Sequence, residues 1–318
     1  MNNTTVVIGA GIAGLLLARR LKQAGCDVLV LEKSRGFGGR MATKRVGPAV
    51  FDQGAQYFTA KSPQFQALVA EWCERGWAEP WTAGGHRRFV GRPGMTAIPK
   101  GLAEGLRVLR QHKVTAARRH ECGCWELDVE DHGIVRAERL LLTAPLPQSL
   151  ALLEAGGVAL PPPLADGLAA VDYNPCLALL LTLDGPSGLP EEGVAFAEGP
   201  VRWLADNTAK GVSPGGAGAV TVHAGPEYSR TNYAAAESEV AAALLPAIAG
   251  RLKSAVVATT VHRWRYCEPR TTWPERAVWL PELTLGFAGD AFGGPRVEGA
   301  ALSGLALAEE VVKVLKPL

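Results

Sequence analysis

Several features that would assign a protein to a class at once are scarce in this sequence. Of its 318 residues only 7% are aromatic, and the net charge is +2. So small a charge gives no sign of a nucleic-acid or membrane surface. The longest apolar run, CLALLLTL at 176–183, is far shorter than the ~20 residues of a membrane span. We therefore expect a folded protein that binds neither nucleic acid nor membrane, long enough for two domains.

The six cysteines contain no C-x-x-C pair, and the six histidines are dispersed along the chain. The two thiols of CGC at 122–124 are closer in sequence than zinc-binding pairs usually are, and no histidine cluster is apparent beside them. We therefore predict no metal site and mostly buried thiols in a reducing compartment. The first residues, MNNTTVVIGAG, carry no basic and apolar leader, so the expected location is the cytoplasm.

Glycine (37 residues) is abundant instead, and its spacing near the N-terminus is informative. A short apolar strand is followed by Gly9, Gly11 and Gly14 and then by a helix that ends before Gly25. The next strand, DVLVLEK, ends in Glu32. In this pattern the glycines allow a tight turn, close approach to a pyrophosphate, and close packing of helix on strand, while the acid binds ribose hydroxyls. The sequence predicts a dinucleotide-binding unit.

The segments that follow resemble the large group of FAD-dependent oxidases that includes the amine oxidases. R-x-x-G-G-R, with Gly39 and Arg40, comes directly after the second strand, and FDQGAQYFTA follows at 51–60. Near the C-terminus, GFAGDAF precedes a helix predicted from about Glu298, whose N-terminus would stabilise a reduced flavin. The predicted cofactor contacts are Gly9, Gly11, Ile12, Ala13, Gly14, Glu32, Lys33, Gly39, Arg40, Met41, Gln56, Tyr57, Val114, Asp290 and Val297.

The order of apolar segments predicts an α/β protein with a discontinuous Rossmann-type FAD-binding domain and a second, mixed-sheet α+β substrate domain. We assign 1–60, 95–150 and 265–318 to the FAD-binding domain, and 61–94 and 151–264 to the substrate domain. LPPPL at 160–164 is predicted to be a rigid connector. A long helix is predicted from Asn232, which would act as its N-cap.

The whole chain resembles the renalase family, in particular its bacterial members. GFGGRMAT, FDQGAQYFTA, HRWRY and GDAFGGPRVEGAALSG carry this resemblance. It implies an enzyme, an FAD-dependent oxidase that takes hydride at flavin N5 from 1,2- or 1,6-dihydro isomers of NAD(P) and passes electrons to O₂. The products would be NAD(P)⁺ and hydrogen peroxide. Because no Cys or His lies on the loops expected at the ring, the FAD should be non-covalent.

One position departs from the amine oxidases. Those enzymes usually carry an aromatic residue on the loop before EGA, where this chain has Arg296. A permanent cation there disfavours an ammonium substrate and favours an anion or a carbonyl-rich ring, although a salt-bridge role for Arg296 stays open. The predicted substrate contacts are Tyr57, Phe58, Thr96, His262, Trp264 and Arg296.

Strand alternation places His262, Trp264 and Tyr266 on one face. For that face, packing in the core and lining of a pocket are equally good hypotheses. For Trp203 core packing is the better hypothesis. Two alternative functions also stay open: an oxidase of amines or of another small molecule, and a flavin-binding sensor with little turnover. Isomer preference, NAD against NADP, and oligomeric state do not follow from the sequence.

Overall fold

The computed structural model describes residues 4–83 and 86–315. Its strands are β1 (Thr4–Ile8), β2 (Asp27–Glu32), β3 (Thr43–Val46), β4 (Ala49–Asp52), β5 (Ala78–Ala83), β6 (His86–Gly91), β7 (Arg107–Arg110), β8 (Val114–Arg119), β9 (Trp125–Val129), β10 (Gly133–Ala137), β11 (Arg139–Leu142), β12 (Tyr173–Leu183), β13 (Val194–Ala195), β14 (Val201–Asp206), β15 (Ala219–Ala224), β16 (Val256–Pro269), β17 (Val278–Leu280) and β18 (Leu285–Phe287). Its helices are α1 (Ile12–Gln23), α2 (Pro63–Glu74), α3 (Ala97–Ala103), α4 (Leu146–Ala155), α5 (Pro162–Ala169), α6 (Pro226–Thr231), α7 (Glu237–Ile248), α8 (Asp290–Gly293) and α9 (Val297–Leu315).

The chain divides into two compact units, each built from separate stretches of sequence. Unit one comprises residues 1–39, 99–172 and 269–318, and unit two comprises 40–98 and 173–268. The predicted boundaries differ from this division in four places, of which two are short: 95–98 and 265–268, expected in the FAD-binding domain, lie in unit two. Residues 40–60, expected in the FAD-binding domain, lie in unit two, and 151–172, expected in the substrate domain, lie in unit one.

Unit one is organised around a six-stranded sheet in the order β17-β18-β11-β1-β2-β7. The strands from β18 to β7 pair in parallel, and β17 adds an antiparallel edge. β1 is buried throughout, as expected for the central strand of a parallel sheet covered on both faces. A second, antiparallel sheet in the order β10-β9-β8 completes the unit.

Helix α1 packs on α9 at very short range. A side-chain carbon on Gly304 would overlap the Ala13 carbonyl oxygen and would lie 2.8 Å from the carbonyl carbon of Ala13. Only glycine fits at that crossing. The C-terminal helix is thereby held against the first turn of α1.

Unit two contains a five-stranded sheet in the order β13-β14-β15-β12-β16. β12 is buried on both faces: Leu177 and Leu181 belong to a cluster with Leu244 of α7, and Leu180 packs with Phe51 of β4. Double burial accounts for the run CLALLLTL, which is apolar at successive positions rather than alternating. The predicted α/β class, with a Rossmann-type part and a mixed-sheet part, is confirmed.

Two local predictions are wrong. The prolines at 160–164 do not form a connector: Pro161 precedes α5 and Pro162 is its first residue, where the missing N–H costs nothing. Asn232 does not start a helix but ends α6, with its side chain donating to the Tyr228 carbonyl at 2.9 Å. α7 starts later, and Glu239 accepts the Ala236 N–H at 2.8 Å.

Among the described residues, no helix has both the length and the apolar character needed to cross a membrane.

Candidate functional site

The glycine loop of unit one joins β1 to α1. Gly9 has φ +107°, a left-handed conformation that other residues rarely adopt. A side-chain carbon on Gly14 would overlap the Gly9 carbonyl oxygen and lie 2.7 Å from Thr143 Oγ1. At Gly11 the same carbon would meet no atom within 4 Å. Gly9 and Gly14 are thus required by the fold, whereas Gly11 leaves a stretch of backbone open.

The open backbone at Gly11 adjoins two other predicted contacts. Ile12 and Ala13 form the first turn of α1, whose N–H groups have no partner within the helix and carry partial positive charge. Gly39 lies beside them, since a side-chain carbon there would be 4.0 Å from the Gly11 Cα. This cradle can accept an anionic diphosphate.

Glu32, at the end of β2, is 7% exposed. Its Oε2 accepts the Ala10 N–H at 2.8 Å, and its Oε1 accepts both the N–H (2.8 Å) and the hydroxyl (2.5 Å) of Ser34. Each carboxylate oxygen has about two acceptor positions. Oε2 therefore keeps capacity for one ribose hydroxyl, while Ser34 occupies Oε1. Lys33 is exposed and donates to Gln148 Oε1 at 3.0 Å.

The C-terminal glycine loop of unit one lies where β18 gives way to α8. Asp290 is the first residue of α8 and is 6% exposed. The N–H before it, on Gly289, is held by Ser303 Oγ of α9 at 2.8 Å. A side-chain carbon on Gly293 would overlap the Gly299 carbonyl oxygen. The glycines of this loop therefore allow α8 and the start of α9 to touch.

Arg296 immediately precedes α9, which begins at Val297. Its backbone N–H donates to the Gly294 carbonyl at 2.7 Å. Its side chain is exposed and makes no hydrogen bond or ion pair with any residue that the structure describes. The salt-bridge role left open by the sequence thus has no support among these residues.

Val114, also a predicted cofactor contact, begins β8 and is 8% exposed.

In unit two, residues 40–57 form a tightly bonded wall. The Arg40 carbonyl accepts the Ala55 N–H at 2.9 Å, and a side-chain carbon on Gly54 would overlap that carbonyl. The Arg40 guanidinium donates to the Cys267 carbonyl at 3.2 Å. Thr96 Oγ1 accepts the Thr43 N–H at 2.5 Å and donates to the Met41 carbonyl at 3.3 Å.

A buried ion pair between Asp52 and Lys210 anchors this wall within unit two, and no sequence pattern predicts it. Lys210 Nζ lies 3.1 Å from Asp52 Oδ2, and both side chains are 0% exposed. Asp52 Oδ1 also accepts the Met95 N–H at 2.9 Å. Lys210 Nζ donates to Gln56 Oε1 at 3.3 Å. Burial lowers the pKa of Lys210, and Asp52 opposes that shift.

Gln56 itself is 5% exposed. Its amide nitrogen donates to the carbonyls of Asp52 and Gly54, the latter at 3.0 Å. Both N–H groups of the side-chain amide and one acceptor position of its oxygen are thus used inside unit two.

Tyr57 lies in an aromatic cluster that already contains a cation. Its ring centroid is 5.8 Å from that of Trp81 and 5.5 Å from that of Trp203. The Arg88 guanidinium stands over these three rings, 4.4 Å from the centroid of Tyr57. We call Tyr57, Trp81, Trp203 and Arg88 the filled cage. The buried indole N–H groups of Trp81 and Trp203 have no partner among the described residues.

Phe58 has a different position from the one expected of a substrate contact. It is 4% exposed, and its ring packs on Phe65, Trp72 and Phe89. It also pairs with Phe89 through a β-bridge. Phe58 is therefore a core residue of unit two.

β16 brings His262 and Trp264 together, with ring centroids 4.3 Å apart. The Trp264 indole donates to the Gln53 carbonyl at 3.0 Å, which links this strand to the wall. Burial, with a smaller effect of Lys44, lowers the pKa of His262 to about 4. Burial likewise lowers the pKa of His223 to about 4. Tyr266 packs instead on Tyr173, with centroids 5.6 Å apart.

The structure places one histidine, His120, beside the two thiols of CGC. His120 Nδ1 lies 3.1 Å from Cys122 Sγ, and Cys122 Sγ lies 2.7 Å from Cys124 Sγ. These residues form the turn between β8 and β9. The signal in the sequence was the alternation H-x-C-x-C, which a hairpin turn can draw together.

The cradle of unit one fits a dinucleotide cofactor. It combines open backbone at Gly11, the first turn of α1 and a buried acid with one free acceptor position. Within the described chain, the hydrogen-bond partners of the Glu32 carboxylate are Ala10 and Ser34. Neither is an arginine that could bind a 2′-phosphate. These features suit an unphosphorylated ribose.

Comparison with known proteins agrees with this geometry. A model of the NAD(P)-binding Rossmann-like domain matches residues 7–72, and a model of the flavin containing amine oxidoreductases matches residues 77–312. The putrescine oxidase of Kocuria rosea is 44% identical over 66 residues, which are 21% of this chain and 14% of that enzyme. The aligned part is thus a small fraction of that relative's length.

Solved structures share the fold over nearly the whole chain. A putrescine oxidase bound to putrescine superposes with a TM-score of 0.73 and 16% identity, covering 98% of this chain and 99% of that one. The cyclohexylamine oxidase of Brevibacterium oxydans gives 0.70 and 14% identity, covering all of both chains. At such identities the likeness concerns the fold alone.

Because the second family model spans most of its length, this chain belongs to the flavin-containing amine oxidoreductases. It is an FAD-dependent oxidoreductase, and FAD is its cofactor.

Proposed function

We propose that this flavoprotein is an oxidase of the renalase type, acting on 1,2- and 1,6-dihydro isomers of NAD(P) rather than on amines. When bound, FAD supplies the acceptor for the substrate hydride at N5 and returns two electrons to O₂, giving hydrogen peroxide and NAD(P)⁺. The resemblance of the motifs GFGGRMAT and GDAFGGPRVEGAALSG to that family suggests the substrate. The positive charges of the Arg296 and Arg88 side chains support it.

The observation that carries the proposal is the Arg296 side chain. It lies on the loop before α9, is exposed, and has no acidic partner among the described residues. A guanidinium remains charged at any pH that the protein tolerates and binds phosphate or carbonyl oxygens with paired N–H groups. It repels an ammonium group. This chemistry suits the diphosphate or carboxamide of a dinucleotide.

The filled cage supports the same conclusion from unit two. Aromatic rings attract cations to their faces, and an amine substrate would use such faces. Here the Arg88 guanidinium already lies 4.4 Å from the Tyr57 centroid, and its Nη1 donates to the Glu192 carbonyl at 3.2 Å. The protein supplies its own cation. A substrate ammonium would have to displace it.

We assign FAD binding to the cradle of unit one and to the wall of unit two. In unit one the first turn of α1 with Gly9, Gly11, Gly14 and Gly39 would hold the diphosphate, and Glu32 the ribose. Asp290, Val297, Lys33 and Val114 are the further proposed contacts there. In unit two we propose Arg40, Met41, Gln56 and Tyr57.

For the substrate we propose contacts with Tyr57, Thr96, His262, Trp264 and Arg296, and we omit Phe58 because it is a core residue. Oxidation of a dihydropyridine to an aromatic cation needs no strong acid or base, so binding and orientation are the main tasks of the protein. His262, with its pKa of about 4, is neutral near pH 7. It can therefore line the site without repelling the cationic ring of the product.

The family match favours a second candidate, an amine oxidase, because the model that spans residues 77–312 describes amine oxidoreductases. Anaerobic rapid mixing of the FAD-loaded protein with purified dihydro-NAD isomers and with a panel of amines separates the two. We expect flavin bleaching by the 1,2- or 1,6-dihydro isomers and none by putrescine or cyclohexylamine. Bleaching by amines alone would overturn the proposal, and bleaching by neither would favour a sensor.

A further inference from the structure

The hairpin turn between β8 and β9 contains a cluster of metal-ligating side chains that the flavin chemistry does not use. Its residues are His120, Cys122 and Cys124, at alternate positions of the sequence HECGC. Their ligand atoms all lie within 4.8 Å of one another. We call these three residues the turn cluster. Within the described residues it is the one group of three such side chains with this proximity.

The backbone of the turn holds the cluster together. The His120 N–H donates to the Cys124 carbonyl at 2.9 Å, and the Gly123 N–H donates to the His120 carbonyl at 2.9 Å. Gly123 has φ +81°, a conformation that glycine adopts at little cost. This bend brings Cys124 back towards His120. The three ligands are therefore positioned before any ion binds, which reduces the ordering that binding would require.

The orientation of the imidazole suits coordination. The Cys122 N–H points at His120 Nδ1 at 3.2 Å, so Nδ1 is the nitrogen with the lone pair. A metal ion binds that same lone pair of a neutral histidine, and in doing so it would replace the 3.2 Å hydrogen bond from the Cys122 N–H. The imidazole thus already directs its ligand nitrogen at the two sulfur atoms.

We propose that the turn cluster is a binding site for a single thiophilic divalent cation of the Zn²⁺ class, with one imidazole and two thiolate ligands. Bond lengths of about 2.3 Å to sulfur and about 2.0 Å to nitrogen place tetrahedral ligands roughly 3.5–3.8 Å apart. The present separations of 3.1 Å and 2.7 Å need to open by about 1 Å or less. His120 and Cys122 are exposed, which gives an ion access and leaves the fourth position to water.

The ligand types select the class of ion. Two thiolates with one imidazole favour Zn²⁺ and its analogues Cd²⁺ and Co²⁺ over Mg²⁺ or Ca²⁺, which require oxygen ligands. Two thiolates also neutralise the charge of one divalent ion. The site is then electrically balanced without an acidic side chain.

The test uses the reduced, FAD-loaded protein, freed of metal with a chelator. Zn²⁺ is titrated in competition with a chromophoric chelator, and Co²⁺ is added separately because its thiolate complexes absorb at wavelengths beyond the flavin bands. We expect one ion per chain and the d–d bands of tetrahedral Co²⁺ at wavelengths longer than the flavin absorption. Cys122→Ser and His120→Asn should each weaken Zn²⁺ binding by at least about tenfold. Cys26→Ser, which removes a thiol elsewhere in unit one, should leave it unchanged.

Three results would overturn the proposal. The first is that the native protein takes up no more Zn²⁺ than a Cys122→Ser/Cys124→Ser double variant. The second is that Cys26→Ser weakens binding as much as Cys122→Ser. The third is that the two turn thiols of the air-handled protein are recovered only as a disulfide, two hydrogens lighter, and bind no Zn²⁺ after reduction.

Discussion

Unit one and unit two offer different kinds of contact to the proposed ligands. Unit one offers backbone: the open chain at Gly11, the first turn of α1 and the glycine contacts of Gly14 and Gly304. Unit two offers side chains: the Asp52–Lys210 pair and the filled cage. A site built from backbone requires glycines where a side chain would block the ligand. A site built from side chains requires residues that are distant in sequence to meet in the fold. The two units should therefore respond differently to substitution.

The largest effect is expected from removing one charge of the buried pair in unit two. Lys210→Met leaves the Asp52 carboxylate without its cation at 0% exposure, which should lower the free energy of unfolding by about 3–5 kcal/mol. Chemical denaturation measures this. Lys113→Met, which breaks the exposed Lys113–Glu130 pair of unit one, should cost under about 1 kcal/mol.

The double variant Asp52→Asn/Lys210→Met provides a check, because it removes both charges together. It should recover a large part of the stability lost in Lys210→Met. If Lys210→Met costs no more than Lys113→Met, the pair does not hold the wall of unit two.

Two glycines of unit one, three residues apart, give the next contrast. Gly14→Ala forces a carbon onto the Gly9 carbonyl, so the apoprotein should lose about 3 kcal/mol of stability and retain little FAD. Gly11→Ala meets no atom within 4 Å, so the apoprotein should keep its stability while FAD binding weakens at least about tenfold. Denaturation of the apoprotein and flavin fluorescence titration separate the two effects. Normal FAD affinity in Gly11→Ala would contradict the cradle.

Acid should weaken unit two through its partly buried histidines, His223 and His262. Their pKa values are about 4 in the fold, against about 6.5 in an unfolded chain. The unfolded chain therefore binds protons first, and the stability of unit two should fall as the pH drops from about 6.5 to about 4, by about 3 kcal/mol for His223. Below that window both states are protonated and the loss stops.

Substitution isolates this effect. His223→Asn should flatten the dependence of stability on pH in that window, whereas Thr259→Asn, at an exposed position of β16, should leave it as steep as in the parent protein. Equal slopes in the parent and His223→Asn would show that the histidine is not buried in its neutral form.

The smallest predicted effect concerns substrate selection by Arg296. Arg296→Leu should weaken binding of a dihydro-NAD isomer by about tenfold, which is about 1.4 kcal/mol, because it removes a partner for phosphate or carbonyl oxygen. Arg276→Leu, an exposed arginine of the same unit, loses the same charge and serves as the control. If both variants bind the isomer as the parent does, Arg296 has no part in recognition.

The two units also differ in how well the sequence alone predicts their proposed contacts. Gly9, Gly11, Gly14 and Glu32 lie within one short segment, so their spacing alone indicated a dinucleotide-binding loop, and the α/β fold followed from the order of apolar segments. Asp52 and Lys210 are 158 positions apart, and no local pattern predicts their pairing. Phe58 was placed at the substrate because its motif lies beside a flavin in the family it resembles. Its burial depends on Phe65, Trp72 and Phe89, which only the fold brings together.

Helix boundaries failed for a related reason. The prolines at 160–164 and Asn232 are compatible with either end of a helix or with a turn. Tertiary packing decides among these options. Likewise, the turn cluster required the bend at Gly123, which the spacing of the cysteines alone did not reveal.

The most direct test of the central claim is turnover in air with a single defined 1,6-dihydro-NAD isomer, with NAD⁺ and hydrogen peroxide both quantified. We expect many turnovers per flavin and equal amounts of the two products. NAD⁺ limited to one equivalent per flavin, or none at all while an amine is oxidised with release of peroxide, would contradict that claim.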